Sequence, residues 1–242
     1  MKIVTYNMQH GKKSKDNWSA ILEATDPGVL LAQEALPPSQ CSRPLLGDTW
    51  SEQAVWCPVH GDWGSAVYVK SQQPRPLELP DFRGWVVGIG LENASLSVNG
   101  RPLRVFSLHA PTGQGDYSRV VGKILDMLQE RRDGCDIIIG GDFNLTVSRR
   151  HDSEERRNKS VNLAVQARLR DEFGLINCWQ TMHPDLPLAQ TLRWDTNPLP
   201  SYHCDGIFVP ASWASRLVRC DVLTGDKWLG LSDHNPVVAE FE

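Results

Sequence analysis

The sequence has no long apolar run, no excess of positive charge and no closely spaced cysteines. No stretch approaches the roughly 18 uninterrupted apolar residues of a membrane-spanning helix, so membrane insertion is not expected. The 25 Lys and Arg against 29 Asp and Glu give a net charge of -4, which excludes a global basic field for holding a long polyanion. Any phosphate-bearing substrate must therefore be held by local contacts.

The six cysteines include no Cys-x-x-Cys pair and no dense cluster. This pattern argues against a zinc ribbon and gives little support to a disulfide framework, so we expect reduced and mostly buried thiols. The N-terminal segment Met-Lys-Ile-Val-Thr-Tyr-Asn also lacks a long hydrophobic export signal. These absences together lead us to expect a cytoplasmic protein.

What the sequence does contain is the composition of one globular domain. Its 242 residues are 40% hydrophobic and 22% charged, which supplies enough apolar material for one sizeable core. No internal repeat, low-complexity tract or Gly/Ser-rich linker divides the sequence. We therefore predict a single domain over residues 1–242.

Strand-like and helix-like patterns alternate along the chain. Short apolar runs bounded by turn residues predict buried strands at 3–6, 29–32, 66–69, 103–108, 137–139, 207–209 and 237–241. Apolar residues at helical spacing predict one helix around Trp18 and Ile21, a second over 120–128, and a third over 161–173 that is closed by Gly174. This mixture indicates an α/β or α+β fold with sheets buried beneath helices.

Several predicted strands end in polar residues that can bind a metal or transfer a proton. Strand ends and the loops after them are where layered α/β folds assemble their sites, because the scaffold places the side chains and the loop exposes them. These segments are Tyr6-Asn7, Gln33-Glu34, Leu108-His109, Asp142-Phe143-Asn144 and Asp233-His234.

Asp142 and Asn144 follow three isoleucines and two glycines. On an extended segment, two residues apart, they would point to the same side and bring a carboxylate and an amide together. The competing interpretation is an Asx turn, in which both side chains only bind backbone amides. The motif becomes specific only in combination with other motifs.

Asp233 and His234 stand directly before the last predicted strand. Adjacent side chains of a strand point to opposite faces, so both can reach one site only if this segment is an irregular loop. A surface or capping pair is the simpler interpretation of an isolated Asp-His pair.

Glu34, Asn7 and His109 each end an apolar run, and Asp205 begins one. Glu34 would be costly to bury unless it is paired or binds a metal, and the alternative is a solvated glutamate; Asn7 is equally ambiguous. A hydrogen-bonded core histidine is the simpler interpretation of His109. Asp205 could orient an imidazole.

Taken together, these residues supply what the hydrolysis of a phosphate ester requires. A hard divalent ion such as Mg²⁺ neutralises phosphoryl oxygens and prefers oxygen ligands, which Glu34, Asn7 and Asp233 can provide. Asp142, steered by Asn144, suits the base or water-positioning carboxylate that faces the phosphorus.

Two histidines suit the donors that meet the negative charge developing on the phosphate. At least one of His109 and His234 must be protonated for this role. A carboxylate partner such as Asp205 raises the basicity of an imidazole.

The order of these motifs resembles that of the endonuclease/exonuclease/phosphatase superfamily, metal-dependent phosphoesterases that include deoxyribonuclease I-like nucleases and apurinic endonucleases. The resemblance covers nearly the whole chain, and Gly-Asp-Phe-Asn at 141–144 and Ser-Asp-His at 232–234 are its most specific motifs. It implies a four-layered α/β sandwich, in which two mainly antiparallel sheets pack face to face with helices on the outer faces.

The resemblance also implies roles for individual residues. The metal-binding glutamate of the family falls on Glu34, helped by Asn7 and Asp233. The water-activating aspartate falls on Asp142 and the orienting asparagine on Asn144.

The remaining matches concern phosphate contacts. The family's phosphate-contacting histidine falls on His234 and its carboxylate partner on Asp205.

Apurinic endonucleases of the family usually have tyrosine at the position of His109, so abasic-site specificity is less expected than a deoxyribonuclease I-like or phosphodiesterase activity. An arginine often stands two residues before the partner aspartate, whereas this chain has His203, which speaks against a phosphate clamp there.

Clues to the substrate are few. Residues 149–159 carry five basic and three acidic side chains, which could guide a phosphate backbone, although a solvated charged loop is the simpler interpretation. Trp194, Tyr202 and Trp228 lie near the motifs in sequence, where a ring could stack on a base, although core packing explains most tryptophans.

The first hypothesis is therefore an Mg²⁺- or Mn²⁺-dependent hydrolase of phosphodiester bonds, an endonuclease or exonuclease that attacks DNA or another nucleic acid with metal-activated water and acts as a monomer. The second hypothesis keeps the chemistry but assigns a small phosphoester, such as a nucleotide, a sugar phosphate or a lipid headgroup. The third is a non-catalytic binding module with a degenerate site. The complete set of polar residues between Asn7 and His234 speaks against this third hypothesis.

Overall fold

The computed structural model describes residues 1–242 except 41–49, 71, 93–99, 112, 114–115, 133 and 194–201. The α-helices of the described chain are α1 (Asn17–Thr25), α2 (Trp50–Gln53), α3 (Tyr117–Gln129), α4 (Ser160–Asp171), α5 (Cys178–Met182) and α6 (Asp226–Leu229). Its strands are β1 (Lys2–Asn7), β2 (Val29–Ala35), β3 (Ala54–His60), β4 (Trp63–Val69), β5 (Arg75–Leu77), β6 (Val86–Leu91), β7 (Leu103–His109), β8 (Asp136–Asp142), β9 (Leu175–Asn177), β10 (Asp205–Pro210), β11 (Leu217–Val222) and β12 (Val237–Phe241).

These strands form two six-stranded sheets. The first has the order β11-β12-β1-β2-β4-β3 and the second the order β5-β6-β7-β8-β10-β9. Each sheet has one parallel pair at its centre, β1 with β2 and β7 with β8, and its other pairs are antiparallel. A helix crosses between the two strands of each parallel pair, α1 in the first sheet and α3 in the second, because parallel neighbours cannot be joined by a tight turn.

The main core lies between the two sheets. Ile3 and Leu31 of the first sheet pack with Val105, Ile138 and other apolar side chains of the second. Alternate residues of the same strands point outward, so the central strands are buried on both faces. This double burial explains why they appear in the sequence as continuous apolar runs.

Helices cover both outer faces. Val121 and Leu125 of α3 and Leu169 of α4 pack on the outer face of the second sheet, and Trp18 of α1 packs on the outer face of the first. The resulting order of helix, sheet, sheet and helix confirms the four-layered sandwich predicted from the sequence. Asp116 begins α3 as an N-cap, accepting a hydrogen bond from the Ser118 backbone N–H at 2.9 Å.

All seven predicted strands are present, and the described residues contain five others that were not predicted. The predicted runs lie in β1, β2, β4, β7, β8, β10 and β12. Pro58 interrupts β3, Gly88 and Gly90 interrupt β6, and β5 and β9 have three residues each. The third predicted helix ends two residues before Phe173, and Gly174 follows with a φ of +66°.

The parallel pairs bring the ends of four strands to one edge of the molecule. Asn7 is aligned with Gln33 at the end of β1 and β2, and His109 is aligned with Asp142 at the end of β7 and β8. Below this edge a polar bridge links the sheets, because Gln33 Nε2 donates to Ser107 Oγ at 2.9 Å. The fold thus gathers polar strand ends from both sheets in one place.

No helix in the described ranges is both long enough and apolar enough to cross a bilayer. Five cysteines are described, and all of them are free thiols; they are Cys57, Cys135, Cys178, Cys204 and Cys220. Cys41 lies outside the described residues.

Candidate active site

Glu34 lies at a bulge near the end of β2, where the register with β4 shifts. Its φ of +47° is in the left-handed region that a glutamate seldom adopts, and such strain is concentrated at functional sites. Two histidines face its carboxylate: His10 Nε2 is 2.7 Å from Oε2 and His109 Nε2 is 3.4 Å from Oε1. The bulge therefore turns the Glu34 side chain out of the sheet and toward the Nε2 atoms of His10 and His109.

These donors keep Glu34 ionised. Burial alone would raise the pKa of Glu34, but the hydrogen bond from His10 and the histidine charges outweigh it and lower the pKa to about 2. Burial lowers the pKa of His109 to about 4 although Glu34 opposes the shift, so this imidazole is neutral at neutral pH. Glu34 is thus a charged oxygen donor next to a neutral histidine.

Asn7 connects the two sheets at the site. Its Nδ2 donates to Glu34 Oε1 at 3.3 Å and to Asp142 Oδ2 at 3.0 Å. Its Oδ1, the atom that would ligate a metal, accepts a hydrogen bond from the Gln9 backbone N–H at 3.0 Å. In this arrangement Asn7 tethers two carboxylates, and a role as an oxygen ligand would require its amide to rotate.

Asp142 is a buried carboxylate at the end of β8, with 1% of its surface exposed. Its Oδ2 is 3.7 Å from His234 Nε2 and 3.9 Å from His109 Nε2. Burial and the charge of Asp205 raise the pKa of Asp142 well above its ordinary range, although His234 opposes the shift. A carboxylate with a raised pKa accepts a proton more readily.

His234 and Asp205 form a buried pair beside Asp142. His234 Nδ1 lies 2.9 Å from Asp205 Oδ2, so Nε2 is left to face Asp142. Burial alone would lower the pKa of His234, but the charges of Asp205 and Asp142 outweigh it and raise the pKa. His234 is therefore the cation of the site, and Asp205 determines which ring nitrogen points inward.

Asn144 supports Asp142 through its backbone. Its N–H donates to Asp142 Oδ1 at 2.9 Å, which is the Asx turn considered as the competing interpretation of this motif. Its side chain donates to the Ala110 carbonyl at 2.9 Å, and its φ is +53°. The predicted steering of Asp142 thus runs through the Asn144 backbone N–H, while the amide holds the loop after β7.

Two groups of side chains could bind a cation. Ligand atoms of Asp142, Cys204, Asp205 and His234 all lie within 4.8 Å of one another. Asp205 Oδ1 is buried and has no hydrogen-bond partner among the described residues, so this group offers one more free acceptor. The second group consists of the Glu34 and Asp142 carboxylates, which share the Asn7 amide.

Comparison with protein families identifies the chain. The sequence profile described as the Endonuclease/Exonuclease/phosphatase family matches residues 4–234. The chain belongs to this family. Comparison with curated protein sequences gives no match.

Solved structures of similar fold include nucleases. An AP endonuclease from Archaeoglobus fulgidus is 17% identical, with a TM-score of 0.73 and coverage of 100% of this chain and 99% of that one. A 3'-5' exonuclease (NExo) from Neisseria meningitidis is 18% identical, with a TM-score of 0.70 and full coverage of both chains. A variant of the 3' phosphatase NExo from Neisseria, bound to product DNA hairpin, is 18% identical, with a TM-score of 0.69 and coverage of 100% and 99%. At these identities the likeness establishes the fold.

The structure of this Endonuclease/Exonuclease/phosphatase family member brings most of the predicted site residues together. Direct contacts link seven of them, namely Asn7, Glu34, His109, Asp142, Asn144, Asp205 and His234. Asp233 lies at the margin, where its Oδ1 accepts a hydrogen bond from Ser232 Oγ at 3.4 Å. Its part in binding a metal remains a prediction.

The sequence did not reveal the residues that hold the Asp233-His234 loop in place. Arg193 binds the carbonyls of Trp228 at 3.2 Å and His234 at 3.3 Å, and also that of Ser232. Ser232 Oγ donates to the Asn7 carbonyl at 2.7 Å and accepts from the His234 N–H at 3.0 Å. This loop is irregular, as its predicted function requires.

His10 was also missed. It belongs to a 3-10 turn over Gln9–Gly11 in which all three residues have positive φ, and a turn of this kind has no periodic pattern in the sequence. The glycine after His10 is the only local signal of such a turn.

The weaker sequence clues have structural explanations. His203 is fully buried, with Nδ1 2.8 Å from the Ala189 carbonyl, so it packs in the core as a polar residue. Trp228 is 5% exposed and packs edge-on against Tyr6, whereas Tyr202 is 42% exposed. Trp194 lies outside the described residues.

The charged segment 149–159 is largely paired within itself. Arg149 lies 2.6 Å from Glu155, and Arg150 and Arg157 lie 3.0 Å and 2.8 Å from the two oxygens of Glu154. These ion pairs neutralise much of the positive charge that could have attracted a phosphate backbone.

Proposed function

We propose that the protein is a divalent-metal-dependent phosphodiesterase that acts on nucleic acid as a monomer. The observation that supports this most directly is the carboxylate of Asp142, which lies between His234 Nε2 at 3.7 Å and the Asn7 amide at 3.0 Å, with Glu34 on the same amide. An ionised carboxylate, a base and a cationic donor are the three groups that phosphoryl transfer to water needs.

The donor set fits a hard cation. Glu34 is ionised and turned out of its strand, and the Asp142 carboxylate is buried beside it with only partial charge compensation. We assign Glu34, with Asp233 and with the Asn7 oxygen once its amide has rotated, to holding Mg²⁺ or Mn²⁺. When bound there, the ion would neutralise phosphoryl oxygens and lower the pKa of a coordinated water.

Asp142 is the proposed base. Its raised pKa makes it a better proton acceptor near neutral pH than an ordinary aspartate. The Asn144 N–H and the Asn7 amide each bind one of its oxygens, so the carboxylate is fixed in one orientation. It would orient the attacking water in line with the leaving oxygen and accept its proton.

His234 is the proposed donor to the phosphate. Protonated and held by Asp205, it presents Nε2–H toward the position where negative charge grows on the phosphoryl oxygens. The neutral imidazole of His109 lies across the site and can donate a hydrogen bond without adding charge.

The nucleic-acid substrate is supported by the family and by the nature of the neighbours. The similar structures are an AP endonuclease, a 3'-5' exonuclease and a 3' phosphatase bound to a product DNA hairpin. We infer that the substrate of this chain is also a nucleic acid. The second candidate substrate is a phosphate monoester at a DNA 3' end, because one of the similar structures is a 3' phosphatase.

The test is a substrate screen with the purified full chain. Supercoiled DNA, single-stranded DNA, RNA, a 3'-phosphorylated oligonucleotide and bis(p-nitrophenyl) phosphate would each be incubated with Mg²⁺, with Mn²⁺ and with EDTA. We expect metal-dependent cleavage of at least one nucleic acid and loss of activity in EDTA. Equal rates with EDTA, or turnover of the generic ester alone, would contradict the proposal.

A further inference from the structure

Two tryptophans beside the site are not explained by core packing. The other tryptophans whose side chains are described all lie in or against the three hydrophobic clusters; they are Trp18, Trp56, Trp179, Trp213 and Trp228. Trp63 and Trp85 belong to none of the clusters, and both are partly exposed. Large rings kept partly in water beside a polar site are typical of ligand recognition.

These rings and three imidazoles form a continuous surface, which we call the aromatic wall. His10 stacks on Trp63 with ring centroids 4.0 Å apart and planes inclined by 27°. Trp63 meets Trp85 edge to face at 5.6 Å, and Trp85 lies against His109 at 5.0 Å. His60, on the exposed side, completes the wall at 6.3 Å from Trp63 and 6.4 Å from Trp85.

The aromatic wall adjoins the proposed catalytic carboxylates directly. His10 contacts Glu34 at 2.7 Å, and His109 lies 3.4 Å from Glu34 and 3.9 Å from Asp142. A ring bound to the exposed part of the wall would therefore belong to the group joined to the scissile phosphate, and not to a distant part of the substrate.

The wall is fixed in place by its backbone. Gly84 has a φ of +80°, and a Cβ there would lie 2.2 Å from the Pro58 carbonyl oxygen, so the segment before Trp85 lies tightly against β3. The Trp85 carbonyl accepts a hydrogen bond from the His109 N–H at 2.8 Å. Because the rings are held by rigid backbone, little conformational entropy is lost when a flat group stacks on them.

We propose that the aromatic wall binds a nucleobase of the nucleotide joined to the scissile phosphate, so that the substrate is a base-bearing phosphoester. This inference rests on the proposed function and makes it narrower, since sugar phosphates and lipid headgroups have no aromatic ring to stack. Stacking is indifferent to the identity of the base, because every base has a π-face. The wall thus selects for the presence of a base and not for a sequence.

The experiment compares Trp63→Leu, Trp85→Leu and the conservative Trp63→Phe with the wild type. The ligands are oligothymidylate and an oligomer of the same length in which tetrahydrofuran residues replace the nucleosides. Hydrolysis is measured as kcat/KM with Mg²⁺, and binding is measured separately by fluorescence anisotropy in an Asp142→Asn background. We expect the leucine variants to lose roughly 5- to 150-fold on oligothymidylate, with less than about twofold on the abasic oligomer, and Trp63→Phe to recover part of the loss.

Trp56→Leu is the matched control, since Trp56 lies on the same β3–β4 hairpin but packs against the core. Any loss that it causes should be equal for the two oligomers. Equal losses in the Trp63 and Trp85 variants would mean that these rings only support His10 and His109, and would overturn the inference, as would the absence of any loss.

The two proposals fail in different ways. If the wild type hydrolyses neither oligomer nor any other phosphodiester, the proposed function fails, and the anisotropy measurement still decides whether the wall prefers a base. If the wild type hydrolyses both oligomers and the substitutions lower hydrolysis of both by the same factor, the base-binding role of the aromatic wall is wrong, while the proposed phosphodiesterase activity is supported. Binding of neither oligomer by any variant would overturn the aromatic wall as well.

Discussion

At the scale of single residues, the proposed chemistry depends on one base, Asp142, and one cation, His234. Replacing Asp142 with Asn or His234 with Gln should lower kcat by roughly 10²- to 10⁴-fold, because each change removes a proton acceptor or a positive charge from the reacting groups. Initial rates with Mg²⁺ measure the effect, and urea unfolding confirms that the fold is intact. Asp81→Asn is the matched control, because Asp81 is an exposed aspartate on the turn over Pro80–Phe82 and is remote in sequence from Asp142 and His234. Normal turnover in either site variant would remove that residue from the chemistry.

Glu34 makes a separate prediction about the metal. Glu34→Gln keeps the shape of the side chain but removes the charged oxygen, so we expect the Mg²⁺ concentration for half-maximal activity to rise at least about tenfold. A direct titration of the protein with Mn²⁺ should show the same weakening. Metal affinity equal to that of the wild type would contradict the assignment.

His203 determines part of the pH dependence of stability. Burial lowers the pKa of His203 to about 4, although the hydrogen bond with the Ala189 carbonyl opposes the shift, whereas an unfolded histidine titrates near pH 6.5. The unfolded chain therefore binds a proton first as the pH falls, and the contribution present above pH 6.5 is lost toward pH 4. Between pH 7 and pH 5 the wild type should lose about 2 kcal/mol more unfolding free energy than His203→Gln. Urea denaturation at both pH values measures this, and parallel losses would show that His203 is not the titrating group.

At the scale of elements, a glycine allows β7 and β8 to come close together. Gly141 has a φ of +147°, and a Cβ there would lie 1.8 Å from the Leu108 carbonyl oxygen. Gly141→Ala should therefore cost more than about 2 kcal/mol of unfolding free energy. Gly90→Ala in β6 is the control, because its nearest neighbour is the Leu77 Cδ2 at 3.9 Å and the expected change is within about 0.5 kcal/mol. Equal stability of the two variants would contradict this prediction, because it would show that the backbone around β8 can shift to make room for a Cβ at position 141.

Predictability from sequence also differs from element to element. β8 could be predicted because its residues are buried on both faces, which leaves three consecutive isoleucines in the sequence. β3 could not, because Pro58 and two half-exposed faces hide its pattern. At the site, Glu34 and Asp142 could be found because they end such apolar runs. His10 and Arg193 lie on irregular segments, where only the folded chain shows what they contact.

At the scale of the whole molecule, both chain ends contribute to one sheet. β12 pairs with β1 and β11 pairs with β12 in the first sheet, whose inner face shares the main core with the second sheet. We therefore expect residues 1–242 to unfold as one cooperative unit. Tryptophan fluorescence and far-ultraviolet circular dichroism should give coincident urea transitions. Two separate midpoints would contradict the single domain predicted from the sequence.

The Asn7 amide joins a carboxylate of one sheet to a carboxylate of the other, so the spacing of these two proposed catalytic groups is determined by how the sheets pack on each other. A slide of about 1 Å between the sheets would stretch these hydrogen bonds of 3.3 Å and 3.0 Å beyond the hydrogen-bonding range, while every strand stays paired within its own sheet. On gradual warming, turnover should accordingly fall at a lower temperature than the one at which the secondary structure melts. Enzyme activity would then report a shift between the two sheets earlier than the thermal unfolding curve does.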